Sequence, residues 1–192
     1  MLRPVSAFRE LAREAEGGGK WLLLQRPLLH ALLLGGFLSL ATTGRVVLPL
    51  ALSTTVCWAF VPALQVAVVT AVTKLLGARP FPVPRLVDLY FVGNLPWSLW
   101  LLALSGTAIL LPSETPGLPL PPPGSLFPAS LLAAALLSQM LTFGFFRGAL
   151  GLTIPRSLAA LVLHDVFLWG SIALFFLLSD QLWPRLFGKI GI

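Results

Sequence analysis

The sequence predicts an all-α fold, a polytopic membrane helical bundle of about five transmembrane helices with a short N-terminal amphipathic helix. Composition comes first: 57% of the 192 residues are hydrophobic, only 10% are charged, and mean hydropathy is +0.91. Soluble domains carry about 25% charged residues. A water-soluble globule of this size keeps a large wetted surface and could not hide so much apolar area. The second feature is the recurrence of apolar runs as long as the ~20 residues that cross a bilayer. The third is charge placement. The net charge is +6, from 13 basic and 7 acidic residues. The basic residues flank the apolar runs, as membrane orientation requires. They form no single patch, so nucleic acid is excluded as a partner. Leu, Ala, Pro, Gly and Arg abound while Lys is scarce, a composition of GC-rich bacterial genomes that points to a bacterial inner membrane.

The length suggests one membrane domain, 21–180, between a cytoplasmic segment, 1–20, and a short tail, 181–192. Residues 1–16 read as an amphipathic helix. Val5, Phe8, Leu11, Ala12 and Ala15 share one side, and Arg9, Glu10, Arg13 and Glu14 the other. Its apolar face is expected on the cytoplasmic membrane surface. Gly17-Gly18-Gly19 ends it. The mixed charges Glu10, Glu14 and Glu16 and the length of the first apolar run argue against a signal peptide.

The first span covers about 21–44, polar only at Gln25, Arg26 and His30. The second covers about 46–74. Pro62 inside it frees the carbonyl four residues earlier, at Trp58, and should bend the helix. Pro80, Pro82 and Pro84 bar a helix from the next loop. The third span covers about 86–111 and contains Asp88, Asn94 and Pro96. The stretch from Pro112 to Pro128 holds seven prolines and is expected to be extended and stiff. The fourth span covers about 128–147 and the fifth about 157–179, where Asp180, Trp183, Pro184 and Arg185 close the apolar run. Cys57 lies within a span; a single cysteine forms no internal disulfide.

Five spans with the N-terminus inside place ten basic residues in the cytoplasm: Arg3, Arg9, Arg13, Lys20, Arg26, Lys74, Arg79, Arg85, Arg147 and Arg156. Only three lie outside: Arg45, Arg185 and Lys189. The positive-inside rule therefore puts the N-terminus in the cytoplasm and the C-terminus outside. The two cytoplasmic hairpins also look alike. Lys74-Leu-Leu-Gly77 precedes Pro84-Arg85, and Arg147-Gly-Ala-Leu-Gly151 precedes Pro155-Arg156. Spans two–three and four–five thus read as a tandem pseudo-repeat about an axis along the membrane normal.

Polar side chains are costly in hydrocarbon and should face protein or water. The spans contain His30, Gln65, Asp88, Asn94, Gln139, His164 and Asp165. Except for Asp88, which is shallower, they lie roughly four to nine residues from the cytoplasmic ends, about 6–14 Å at 1.5 Å per residue. They form one candidate polar layer. One reading is structural, with each hydrogen bond between helices contributing about 0.6 kcal/mol. The other is a cytoplasm-facing polar cavity for a ligand, a lipid headgroup or a proton. Adjacent His164 and Asp165 point about 100° apart, so neither is expected to pair with the other. His30 or Asn94 should supply their partners. Gly35, Gly36, Ser39 and Gly44, and the pair Gly144 and Gly148, suit close helix contact.

There is no Gly-x-Ser-x-Gly, His-Glu-x-x-His, P-loop or dinucleotide fingerprint. Metal-ligand spacing among His and Cys is absent as well. No cofactor, no metal and no enzymatic activity are expected.

Pro4-x-x-x-Phe8-x-x-Leu11 on a short helix before five spans, with Asp88-Leu89-Tyr90, Gly93 and Pro96 opening the third, resembles the Yip family of membrane proteins. Eukaryotic members carry Asp-Leu-Tyr-Gly-Pro before their first span. Here Phe91 follows the tyrosine at the third span, so Rab GTPase binding does not carry over. The resemblance implies non-enzymatic membrane organisation or scaffolding, through the bilayer, a membrane-protein partner or a second copy. The alternative is a small transporter or accessory subunit that uses the polar layer.

Overall fold

The computed structural model describes residues 3–14, 22–43, 45–78, 81–110 and 126–187. The proline-rich stretch of the third loop lies almost wholly outside them. All regular structure among the described residues is helical. In chain order it comprises α1 (Pro4–Glu14), α2 (Leu22–Thr43), α3 (Leu48–Trp58), α4 (Phe60–Leu75), α5 (Val83–Phe91), a 3₁₀ turn (Val92–Asn94), α6 (Leu95–Leu110), α7 (Phe127–Gly144), a π-helical turn (Phe145–Ala149) and α8 (Ile154–Phe187).

Four helical stretches are long and apolar enough to cross a membrane: Leu48–Leu75, Val83–Gly106, Phe127–Ala149 and Ile154–Leu178. They are compatible with a multi-pass membrane protein. α2 adds a further apolar helix of 22 residues, polar in its first turns at Gln25, Arg26 and His30 and with Pro27 inside it. The outward faces are oily, with Leu99, Leu102, Leu132, Leu136, Val162 and Val166 all exposed.

Proline explains where the long helices change. Pro62 has no N–H for the Trp58 carbonyl, and α3 ends at Trp58. Ala59 then donates to Val56 O (3.3 Å) before α4 begins. Pro96 likewise leaves the Val92 carbonyl without its donor, and the chain tightens into the 3₁₀ turn there. α5 starts at Val83, earlier than expected, because Pro84 occupies its first turn, where a missing N–H costs nothing. α8 continues through Pro184 to Phe187, beyond the Asp180 expected to close it.

The two hairpins are built alike. Gly77 (φ +59°) and Gly151 (φ +69°) are the positive-φ positions among the described residues, a conformation open to glycine at little cost. After the first, Ala78 N donates to Thr73 O (3.0 Å), the six-to-one bond of a helix-ending Schellman motif. After the second, Leu152 N reaches one residue further back, to Phe146 O (3.3 Å). The π turn absorbs the one extra residue that separates Arg147 from Gly151, compared with Lys74 from Gly77.

The dense core sits at the hairpin end. Val69, Val72, Val87, Tyr90, Phe145 and Phe146 are fully buried there. α1 completes this core, with Phe8 inside it and Ala12 packed against it. Phe8 is 1% exposed and meets Phe145 edge-on at 6.1 Å. Gly144 and Gly148, expected to join two spans, receive α1. A Cβ on Gly144 would lie 2.9 Å from Pro4 Cβ, and one on Gly148 would collide with the Val5 carbonyl. Gly35 admits α3 in the same way, its absent Cβ leaving room for Thr55 and the Ala51 carbonyl.

Candidate functional site

Beyond the hairpin core, toward the opposite ends of the spans, lies a cavity of about 420 Å³. The layer order holds in each helix. On α4, Val61 and Gln65 line the cavity, and Val68, Val69 and Val72 fill the core. On α8, Ala160 is in the core, and His164, Asp165, Leu168, Trp169, Ile172 and Phe176 line the cavity. The cavity is therefore closed at the hairpin end by packed side chains. If that end is the basic, cytoplasmic one, this differs from the cytoplasm-facing opening expected from the depth of the polar residues. The α1–Phe145–Tyr90 stack supplies the difference, and depth along a span does not register it.

Six of the seven candidate residues line this cavity: His30 from α2, Gln65 from α4, Asn94 from the 3₁₀ turn, Gln139 from α7, and His164 and Asp165 from α8. Asn94 Nδ2 donates to Gln65 Oε1 at 3.1 Å, both residues buried. Ser98 donates to the Asn94 carbonyl (3.3 Å), leaving its oxygen to accept from His30 Nδ1 (3.1 Å). Ser138 Oγ donates to Gly93 O (2.9 Å) and joins α7 to the 3₁₀ turn. Gln139 Oε1 is buried with no protein partner.

His164 and Asp165 do meet, with Nδ1 3.0 Å from Oδ1. The 100° between neighbours on a helix separates their Cβ directions. The Nδ1 corner of the ring and a carboxylate oxygen still have the reach to converge across it. The carboxylate can only accept, so Nδ1 carries the proton. Nε2 shares a hydrogen bond with the Tyr90 hydroxyl, 2.6 Å away. The result is a Tyr90–His164–Asp165 chain running from the hairpin core into the cavity, and neither His30 nor Asn94 takes part in it.

Asp88 belongs elsewhere. It is buried and does not line the cavity. Arg26 Nε lies 2.5 Å from one carboxylate oxygen and Arg85 Nη1 3.1 Å from the other. Arg85 also donates to the Leu11 carbonyl. The cluster ties α1, α2 and α5 together at the hairpin end.

Comparison with known proteins assigns no family. No family model matches the chain, and no curated protein or solved structure matches it.

The far wall of the cavity is aromatic. Trp58, Trp97, Trp100 and Trp169 line it with Phe176. Trp97 and Trp100 sit edge to face at 5.9 Å, and Trp58 lies 5.9 Å from Phe176. Trp100 Nε1 donates to Ser130 Oγ (3.1 Å). Sequence reasoning missed these indoles, and it missed Tyr90, Ser98, Ser138 and Thr142. The spacing of Trp97, Trp100 and Leu101 along one face was the available signal. Among the described residues, no three His, Cys, Asp or Glu side chains gather to hold a metal. The arrangement suits a mostly apolar molecule anchored by a few polar atoms.

Proposed function

We propose that this chain is a non-enzymatic, five-span protein of a bacterial inner membrane that binds a small, largely apolar molecule in its cavity, as a small transporter or an accessory subunit of a membrane complex. One observation carries the reading: polar residues from five separate parts of the chain turn toward a single cavity. Residues that only joined helices would be expected in scattered pairs. α2 serves as the fifth span, with its polar N-terminal turns at the cytoplasmic headgroups. The ten-to-three bias of basic residues supports an N-terminus inside and a C-terminus outside. Reporter fusions at the C-terminus test this; cytoplasmic activity there would mean an even number of spans.

A Yip-like scaffold acting through lipid and protein contacts is the second reading. Pro4 and Phe8, which carry that resemblance, both contact Gly144, which favours a built role for α1 over a loose tail. The two readings part on the cavity. Mass spectrometry of extracts from the protein purified in native-lipid nanodiscs should find a small molecule that is missing from the cavity-filled variant Val61→Phe/Leu168→Phe. Identical extracts from the two proteins would favour the scaffold.

A further inference from the structure

We infer that the cavity takes a lipophilic cation, an ammonium head on an apolar body; this rests on the reading of the cavity as a binding site. Charge decides the sign. Among the described lining residues Asp165 is the one carboxylate, and none is Lys or Arg. At the hairpin end Arg26, Arg85 and Arg147 are committed to Asp88 and to backbone carbonyls. Both ring nitrogens of His164 are engaged, Nδ1 by Asp165 and Nε2 by the Tyr90 hydroxyl, so the ring fixes the orientation of the carboxylate.

Asp165 retains acceptor capacity. His164 engages Oδ1, and no other hydrogen bond to the carboxylate is present among the described residues. Gln139 Oε1 is a second acceptor without a protein partner. A ligand carrying N–H donors satisfies a carboxylate that otherwise stands at membrane depth without a lysine or arginine partner. An anion would meet Asp165 with no lysine or arginine among the described lining residues to offset it.

The indoles supply the rest. Trp is the strongest cation–π partner, and its faces favour a positive head while offering apolar area to its body. Trp58, Trp97, Trp100 and Trp169 surround one cavity with a single acid, as recognition of an amine by aromatic faces and one carboxylate requires. A neutral apolar ligand would use the same walls and leave Asp165 uncompensated.

The test uses the full chain in nanodiscs and three probes of equal tail length: decylammonium, decanol and decanoate. Tryptophan fluorescence reports occupancy, because four of the six tryptophans line the cavity. The wild type should bind decylammonium at least tenfold more tightly than decanoate. Asp165→Asn should reduce that preference below threefold while decanol binding stays unchanged, and Asp165→Glu should restore it. Equal binding of ammonium and carboxylate probes, or a preference that survives Asp165→Asn, would overturn the cation inference and leave the cavity standing. If Val61→Phe/Leu168→Phe leaves all three titrations unaltered, no probe occupies the cavity, and the binding-site reading fails with it.

Discussion

Asp88 and Asp165 both lie within this bundle, and their surroundings differ in kind. Asp88, at the hairpin end, has a side chain 9% exposed and holds two arginines. Asp165, on the cavity wall, is 31% exposed and meets only the ring of His164. Around Asp88 the neighbouring groups meet the charge fully and side chains fill the space; Val87, Leu89 and Tyr90 are all essentially buried. Around Asp165 the charge is half met and the space is open. A carboxylate in a membrane protein can thus be spent on cohesion or kept available, and the number of its cationic partners separates the two uses.

The sharpest way to break the contrast is Asp88→Asn. Removing one member of a buried ion pair leaves the other uncompensated and costs about 3–5 kcal/mol. Here Arg85 would be stranded at 14% side-chain exposure. We expect a loss of about 4 kcal/mol in unfolding free energy, measured by denaturant titration in mixed micelles. Hydrogen exchange over 4–14 should rise with it, because Arg85 also holds the Leu11 carbonyl. A loss below about 1 kcal/mol would show that the charges there are solvated.

Phe8→Ala probes the same end through packing. Truncating a buried Phe costs about 3–5 kcal/mol; we expect the lower figure, because α1 can undock and leave the spans folded. Gly148→Ala should act in the same direction, since its new Cβ would meet the Val5 carbonyl. Accessibility of a cysteine placed at Ala12 reads the undocking. No change in accessibility for either variant would place α1 on the lipid, as its amphipathic pattern alone suggests.

Much of this was legible in the sequence, and the failures have physical causes. Apolar run length located the long helices, and Pro62 marked where the second changes; the 3₁₀ turn before Pro96 was not foreseen. Gly77 and Gly151 were visible as matched hairpin residues; their shared left-handed backbone adds to the likeness. Partner choice was not legible. A small-xxx-small pair on a span accepts any closely approaching backbone, and Gly144 and Gly148 accept α1. The exclusion of a His164–Asp165 bond failed because it reasoned from Cβ directions and ignored side-chain reach. Tyr90 was hidden among apolar neighbours, and the indoles were hidden because tryptophan in a span ordinarily reads as an interface residue.

Asn94→Leu tests the middle of the contrast. It removes one interhelical hydrogen bond and leaves Gln65 Oε1 without its donor. Such bonds contribute about 0.6 kcal/mol on average and up to about 1.7. A loss near 1 kcal/mol in the same titration is expected, well below that of Asp88→Asn.

Asp165→Leu should have the smallest effect on stability, and it separates the two aspartates most cleanly. The substitution removes one hydrogen bond, to His164, and also removes the desolvation cost of a carboxylate without a lysine or arginine partner. These contributions oppose each other. His164 keeps its bond to Tyr90, so its ring stays oriented. We expect unfolding free energy to change by less than about 0.5 kcal/mol, in either direction, in the assay that registers Asp88→Asn strongly. A loss of 2 kcal/mol or more would mean that Asp165 serves cohesion as Asp88 does, and the distinction between a spent and an available carboxylate would not hold for this bundle.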